Sequence, residues 1–355
     1  MRSGRSESIR TGSRIRFMAV RMKDIARDLG VSTVTVSKAI RNHSDISPKT
    51  RGRVLRRIKE LNYQPNLAAR TLVTGRTYAI GLIVPDLVHP FFSEVAKALA
   101  RVLRERDYGL LISSSEEDPA LERDEIERLL ARRVDALIIA STQRTAESFR
   151  RIREEGVPYV LIDRRFDGLT APFVGVQDEE VGELATQHLI DMGCRRIAHI
   201  RGPEISPALG RMAGWRRALS RNRRAAPPAY IVSSRSSDDA GDNGGRDAMQ
   251  RLLKLKPLPD GVFCYNDPIA IGALRAVLER GLRVPEDIAI VGCGNILHSA
   301  FLRVPLTSID QDSAGIGEKA AEMALSMIET KKPSAKPKTI LLHPTLIVRD
   351  STRRE

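Results

Sequence analysis

The chain has 355 residues, is 42% hydrophobic and carries a formal net charge of +14, which is enough length for two or three domains and too apolar for global disorder. No apolar run approaches the ~18 residues of a membrane helix, and the Arg- and Ser-rich residues 1–21 lack the apolar stretch of a signal peptide, so membrane-spanning and secreted classes are set aside. Cys194, Cys264 and Cys293 are widely spaced, without metal-ligand or disulfide spacing, and suit a reduced cytoplasmic protein with no metal or cofactor.

The charge is not spread evenly. Residues 1–77 hold 18 Lys and Arg against 5 acidic residues, a net of +13, while the other 278 residues balance to +1. A basic module on a neutral body is a polyanion-binding footprint. Residues 1–21 read as a flexible basic arm. Three short helical patterns follow. Residues 23–29 put Ile25, Ala26 and Leu29 on one face, and Gly30 ends the run. Ser32 caps a second helix to about Ile40 with Val36 and Ile40 facing inward. Ser47 and Pro48 start a third to Leu61, with Val54, Leu55, Ile58 and Leu61 as its apolar stripe and Arg51, Arg53, Arg56, Arg57 and Lys59 around it. Three small helices with a glycine turn between the first two predict a helix-turn-helix unit.

From Tyr78 short apolar runs alternate with amphipathic stretches. Strands are expected at 79–84, 110–113, 136–140, 159–162, 196–200, 262–264 and 288–291, and helices at 92–106, 121–132, 181–192, 268–280 and 313–331. This βα repetition predicts parallel sheets covered by helices, and the length predicts two lobes.

The run MKDIARDLGVSTVTVSKAIRNHSDISPKTRGRVLRRIKELNYQPNLAARTL, residues 22–72, resembles the lactose-repressor (LacI/GalR) family, with weaker landmarks continuing almost to the C-terminus. The resemblance implies an all-α helix-turn-helix headpiece joined to an α/β periplasmic-binding-protein-like core of two doubly wound parallel-sheet lobes. It also implies a cytoplasmic homodimeric regulator, commonly a repressor, that binds a pseudo-palindromic double-stranded DNA operator under control of a small-molecule effector, with a sugar or sugar derivative as one class. The implied organisation is arm 1–21, DNA-binding domain 22–64, hinge helix and linker 65–77, a first lobe of 78–178 with 311–339, and a second of 179–310 with 340–355.

In the second helix, Val34 and Lys38 lie about 160° from Val36 at 100° per residue, on the outer face one turn apart. Thr33, Val34 and Lys38 match the family's base-reading positions; Lys38 suits guanine acceptors and Val34 a thymine methyl. Ser32, Thr35 and Ser37 read as caps or phosphate contacts, and Arg56 and Arg57 as phosphate-positioning cations. By resemblance, residues 65–72 are the hinge helix, with Ala69 small enough for close pairing and Leu72 as the minor-groove wedge. The family-equivalent cleft positions for the effector are Phe91, Phe92, Arg211, Asn266 and Gln311. Each has a plainer role open to it: helix-start packing, an internal ion pair, a helix cap, or satisfaction of a hinge backbone group. Two departures weaken a sugar reading. The run Gly292–Cys293–Gly294–Asn295 lacks the family's acidic residue, and Gln177 stands where many relatives have an acid, although Asp178 follows.

An enzyme or a transport-type binding protein on the α/β core are the rivals. No phosphate-cradling GxGxxG or GxxxxGK[ST] follows a strand, and the six histidines show no catalytic or metal spacing. The basic headpiece counts against the transport reading.

Overall fold

The computed structural model describes residues 20–40, 42–63, 71, 74–143, 145–166, 168–234, 242–330 and 337–353; the basic arm up to residue 19 and the hinge candidates Ala69 and Leu72 lie outside them. The chain divides into two compact units, Met1–Thr77 and Tyr78–Glu355.

In the first unit, α1 (Met22–Leu29), α2 (Thr33–Ile40) and α3 (Pro48–Glu60) follow the sequence signals closely. Gly30 takes the left-handed conformation, φ 65°, that closes α1. Ser32 Oγ accepts from the Thr35 N–H at 3.0 Å, and Ser47 Oγ from the Thr50 N–H at 3.2 Å, starting α2 and α3. Ile25, Ala26, Val36, Ala39, Val54 and Tyr63 form the core, with Ile40, Ile58 and Leu61 packed at its edge. Leu55 was expected in that stripe but is 47% exposed. One residue on from Val54 is a 100° turn, and α3 meets only two small helices here.

The second unit contains two six-stranded sheets. Its elements in order are β1 (Ala79–Val84), α4 (Pro90–Arg104), β2 (Gly109–Ser114), α5 (Pro119–Ala131), β3 (Ala136–Ile139), α6 (Arg150–Glu154), β4 (Tyr159–Ile162), β5 (Phe173–Val176), α7 (Asp178–Asp191), β6 (Ile197–Arg201), α8 (Ser206–Arg221), β7 (Ile231–Ser233), α9 (Asp242–Leu252), β8 (Gly261–Cys264), α10 (Asp267–Glu279), β9 (Ala289–Cys293), β10 (Thr307–Asp310), α11 (Ser313–Thr330), β11 (Thr339–Leu342) and β12 (Thr345–Ile347). The sheet orders are β11-β5-β4-β3-β1-β2 and β12-β10-β9-β8-β6-β7. Every pairing is parallel except β10 with β12.

Strand alternation sends successive side chains to opposite faces. Ile80, Leu82 and Val84 of β1 pack under α4 and α11, whereas Ile83 faces α5. In the second sheet, Ala198 and Ile200 face α9 and α10, while Ile197 and Phe263 pack against α7 and α8 around Trp215. Both faces of each sheet are thus covered, as parallel sheets require. The three cysteines are buried and form no disulfide. Among the described residues no helix is long and apolar enough to cross a membrane.

The chain passes between the lobes at 177–178, 311–312 and 343–344. The last passage corrects the expected division at 339/340: Thr339–Leu342 pairs in parallel with β5, from Thr339 opposite Phe173 to Leu342 opposite Val176. Strand pairing in the first sheet therefore carries the chain three residues further before it crosses.

Helices α7 and α8 touch backbone to backbone. A Cβ on Gly182 would stand 2.0 Å from the Arg211 carbonyl oxygen, and one on Gly214 would stand 1.9 Å from that of Glu179. The neighbours are main chain and cannot swing aside. Gly214→Ala is expected to lower stability by about 3 kcal/mol, the upper end of overpacking effects, measured as a fall in the urea midpoint at unchanged m. An unchanged midpoint would mean that the two helices separate without penalty.

Candidate nucleic-acid interface and interlobe cleft

The outer face of α2 presents Thr33, exposed, and Val34, 60% exposed, at the end where backbone N–H groups point outward. Ser32 and Thr35 are joined hydroxyl to hydroxyl at 2.9 Å, so both serve the helix start in this state; Ser37 is half-buried. The Lys38 ammonium is held by the Asp45 carboxylate, which the lysine hydrogen bond keeps below the usual carboxylate range.

The arginines of α3 divide into two groups. Arg51 donates to the His43 carbonyl at 2.7 Å, and Arg53 to the Leu29 carbonyl at 3.1 Å. Arg57 places its Nε and Nη2 on one Asp28 oxygen at 3.1 and 2.6 Å and reaches Glu60 at 3.1 Å. Arg57 therefore ties α3 to α1, which is a different employment from the phosphate contact expected of it. Arg56 is exposed and has no side-chain partner among the described residues.

The cleft lies where the carboxyl ends of the two sheets' strands face each other, the usual ligand position of such folds. Phe91 and Phe92 begin α4 and are both buried in the first lobe's core, their rings edge to face at 5.0 Å between centroids. Arg211 of α8 is only 2% exposed. Its Nε donates to Asp178 Oδ1 at 3.0 Å, Nη1 to the Tyr265 carbonyl at 2.7 Å, and Nη2 to Gln311 Oε1. Its guanidinium carbon also sits 4.7 Å above the Tyr265 ring. Asp178 and Gln311 belong to two of the three lobe-crossing segments, so one side chain joins both. Burial pushes the Asp178 carboxyl up to about 6, with the Arg211 charge opposing the rise.

Asn266 caps α10 by accepting from the Ile269 N–H at 3.0 Å, and its amide nitrogen lies 3.2 Å from His89 Nε2 across the cleft. Its neighbour Asp267 points inward and is fully engaged: Ser308 Oγ at 2.6 Å, Ser299 Oγ at 2.9 Å and the Ile296 N–H at 2.9 Å all donate to it. Gly294, at φ 128°, offers no carboxylate, and Asn295 turns to Asp310 and Arg349. Gln177 meets His343 at 2.9 Å, joining the remaining crossing segment to the first.

Three cleft residues escaped the sequence reading. His89 is half-buried, and desolvation, opposed by Asp163 and Asp86, holds its imidazole below the ordinary value. Asp163 and Arg164 end β4; Arg164 donates to both Glu117 oxygens, at 2.7 and 2.6 Å. Their signal was present: charged residues placed directly after an apolar strand, and a histidine just before Pro90. Among the described residues no group of side chains is arranged to hold a metal ion.

Comparison with known proteins follows the same division. Residues 21–66 match the family model of bacterial regulatory proteins, lacI family, and residues 186–352 match that of a periplasmic binding protein-like domain. The ribose operon repressor of Escherichia coli (strain K12) is 37% identical over 339 residues, spanning 93% of this chain and 99% of the relative. The HTH-type transcriptional repressor PurR of Actinobacillus pleuropneumoniae serotype 3 (strain JL03) is 32% identical over 334 residues, 94% of this chain and 98% of its own. A crystal structure of the lac repressor dimer bound to operator and the anti-inducer ONPF superposes with a TM-score of 0.80 at 28% identity, covering 94% of this chain and 99% of that one. A LacI family regulator from Enterococcus faecium with bound ribose gives 0.68 at 26% identity, covering 77% and 98%.

The half-buried Asp178 makes a pH dependence with a definite sign. Its native pKa of about 6 exceeds the ordinary 3.8, so its contribution to stability is present below pH 3.8 and is lost as pH rises through about 6. Asp178→Asn is expected to gain stability relative to the parent chain as pH climbs from about 4 to about 7, read from urea midpoints at each pH. A constant difference across that window would place the native pKa at the unfolded value.

Proposed function

The chain belongs to the lacI family of bacterial regulatory proteins, and on that premise we propose that it is an effector-controlled repressor that binds a pseudo-palindromic DNA operator as a homodimer. The observation that carries this reading is the exposed start of α2, with Thr33, Val34 and Lys38 on its outer face, in a segment that holds nearly all the excess positive charge. In this reading those three residues contact base edges, and Ser32, Thr35, Ser37 and Arg56 position the phosphates. Arg57 acts on the headpiece by bracing α3 against α1. Ala69 and Leu72 would pair the hinges and wedge the minor groove. Lys38 would exchange Asp45 for guanine acceptors on the correct duplex. The protein would act in the cytoplasm at the nucleoid and perform no catalysis, in keeping with relatives named as transcriptional repressors.

For the effector we propose a small sugar. The supporting facts are the ribose operon repressor relative, the ribose-bound structural neighbour, and a cleft with Asp163, Arg164, His89 and Asn266 beside two phenylalanine rings. These polar groups take the place of the acid missing at Gly294. Binding would shift the closure of the lobes and thereby the hinges' ability to pair on DNA. The proposed division of labour is arm 1–21, DNA-binding domain 22–64, hinge and linker 65–77, then the two lobes with their last exchange at 343–344.

Two outcomes test the DNA reading. Binding-site selection on Lys38→Ala is expected to return a consensus changed at one position of each half-site, and an unchanged consensus removes Lys38 from base readout. Arg56→Ala is expected to weaken all duplexes alike and to reduce the slope of log K against log salt by about 1; Arg57→Ala should leave the slope in place. For the effector, D-ribose and a panel of other pentoses and hexoses titrated into the operator complex should include one that changes affinity by at least about 5-fold. A flat response to the whole panel overturns the sugar assignment.

A further inference from the structure

The hydrogen bond between His89 and Asn266 spans the two lobes: His89 lies between β1 and α4 of the first, Asn266 between β8 and α10 of the second. Its polarity can be assigned. The Asn266 carbonyl oxygen is occupied by the Ile269 N–H at 3.0 Å, so the atom facing His89 is the amide nitrogen, a donor only. His89 Nε2 must then present its lone pair, and in a neutral ring the proton resides on Nδ1. Nδ1 meets no donor among the described residues that would demand its lone pair, so the tautomer is set at Nε2, and the Nδ1 proton is buried without an acceptor there.

We propose that His89 is a proton-sensitive latch of the cleft: the neutral ring accepts from Asn266 and holds the lobes together, and the doubly protonated ring releases them. A second proton would set an N–H against the amide hydrogens at 3.2 Å. Rotating the Asn266 amide would restore an acceptor only by stripping α10 of its cap. The charges acting on the ring come from three elements. Asp86 on its own turn and Asp163 after β4 favour the proton, whereas Arg164 after β4 and Arg211 on α8 oppose it; burial joins the arginines, and the net shift is downward. The sign follows. The bridged arrangement is fully favoured above the ordinary 6.5 and is lost as pH falls from there through the ring's lower native pKa. Another link between the lobes, the Arg165 N–H to Ser206 Oγ at 2.9 Å, contains no titrating group; at the third crossing His343 meets Glu180 at 3.0 Å.

The latch concerns the cleft alone and is tested without DNA or effector, so its failure would leave the repressor reading standing. The full chain, labelled with 15N-histidine, is examined by ring-nitrogen NMR, with His89→Gln identifying the His89 signals. Spin labels at Glu127→Cys in α5 and Lys254→Cys beyond α9 report lobe separation, diluted into unlabelled chain; the native thiols are buried. The expected result is an Nδ1–H tautomer that titrates below 6.5, with the interlobe distance lengthening between about pH 7.5 and about pH 5. His89→Gln, which can still accept from Asn266, should stay at the short distance throughout. Asn266→Asp keeps a capping side chain and should reverse the trend, raising the His89 pKa above 6.5 and closing the cleft at low pH. An Nε2–H tautomer, or the same opening in His89→Gln, overturns the proposal.

Discussion

A guanidinium withdrawn from water must find acceptors inside the fold, and the whole sensing unit is arranged around how Arg211 does so. Its three contacts lie on three separate pieces of chain: Asp178 at the first passage between lobes, Gln311 at the second, and the Tyr265 carbonyl at the wall of the cleft. None of these can move far without leaving a buried charge or amide unmatched. The glycines in α7 and α8 serve the same end, because helices in backbone contact fix the distance from Arg211 to Asp178. The third passage is joined to the first through Gln177 and His343. The hinge is therefore a cross-linked bundle of three strands rather than three independent connections.

This constraint also decides what the cleft can offer a ligand. With its fork engaged by the protein, Arg211 shapes the floor and orients Gln311 more than it extends donors to solvent. In the proposed reading, polar recognition would pass to the residues around it, after β1, β4 and β8. Glycine at 294 fits that redistribution: the family's acid is gone, and Asp267, the nearest buried carboxylate, is wholly given to Ser299, Ser308 and the Ile296 N–H.

Much of this could be read from residue patterns, and the failures have physical causes. The headpiece was readable to within a residue at each helix end because Gly30, Ser32 and Ser47–Pro48 are local signals acting on local structure. The long central strands and five of the core helices announced themselves by apolar runs and periodicity. The three-residue strands Ile231–Ser233 and Thr345–Ile347 did not, since they exist by pairing with neighbours distant in sequence. Helix α8 was missed as an element because Pro207, Arg211 and Gly214 interrupt an apolar face otherwise made by Ala208, Trp215, Ala218 and Leu219. Arg211 and Asn266 take the plainer roles open to them, an internal ion pair and a helix cap, yet that Gln311 would be an acceptor for Arg211 was not foreseeable, and Arg57 shows the same limit. Composition identifies a cation. Only the fold shows whether an acid such as Asp28 already holds it.

The pairing of Lys38 with Asp45 in the headpiece bears on how a regulator finds its address. An ammonium already neutralised by a carboxylate displaces fewer counterions from an arbitrary duplex, so it adds little to sequence-independent attraction. Under the proposed readout it would engage only where a base edge presents acceptors good enough to replace the carboxylate. On that proposal the acid would shorten the time lost on wrong DNA and leave the rest of the basic surface to keep the protein near the helix while it searches.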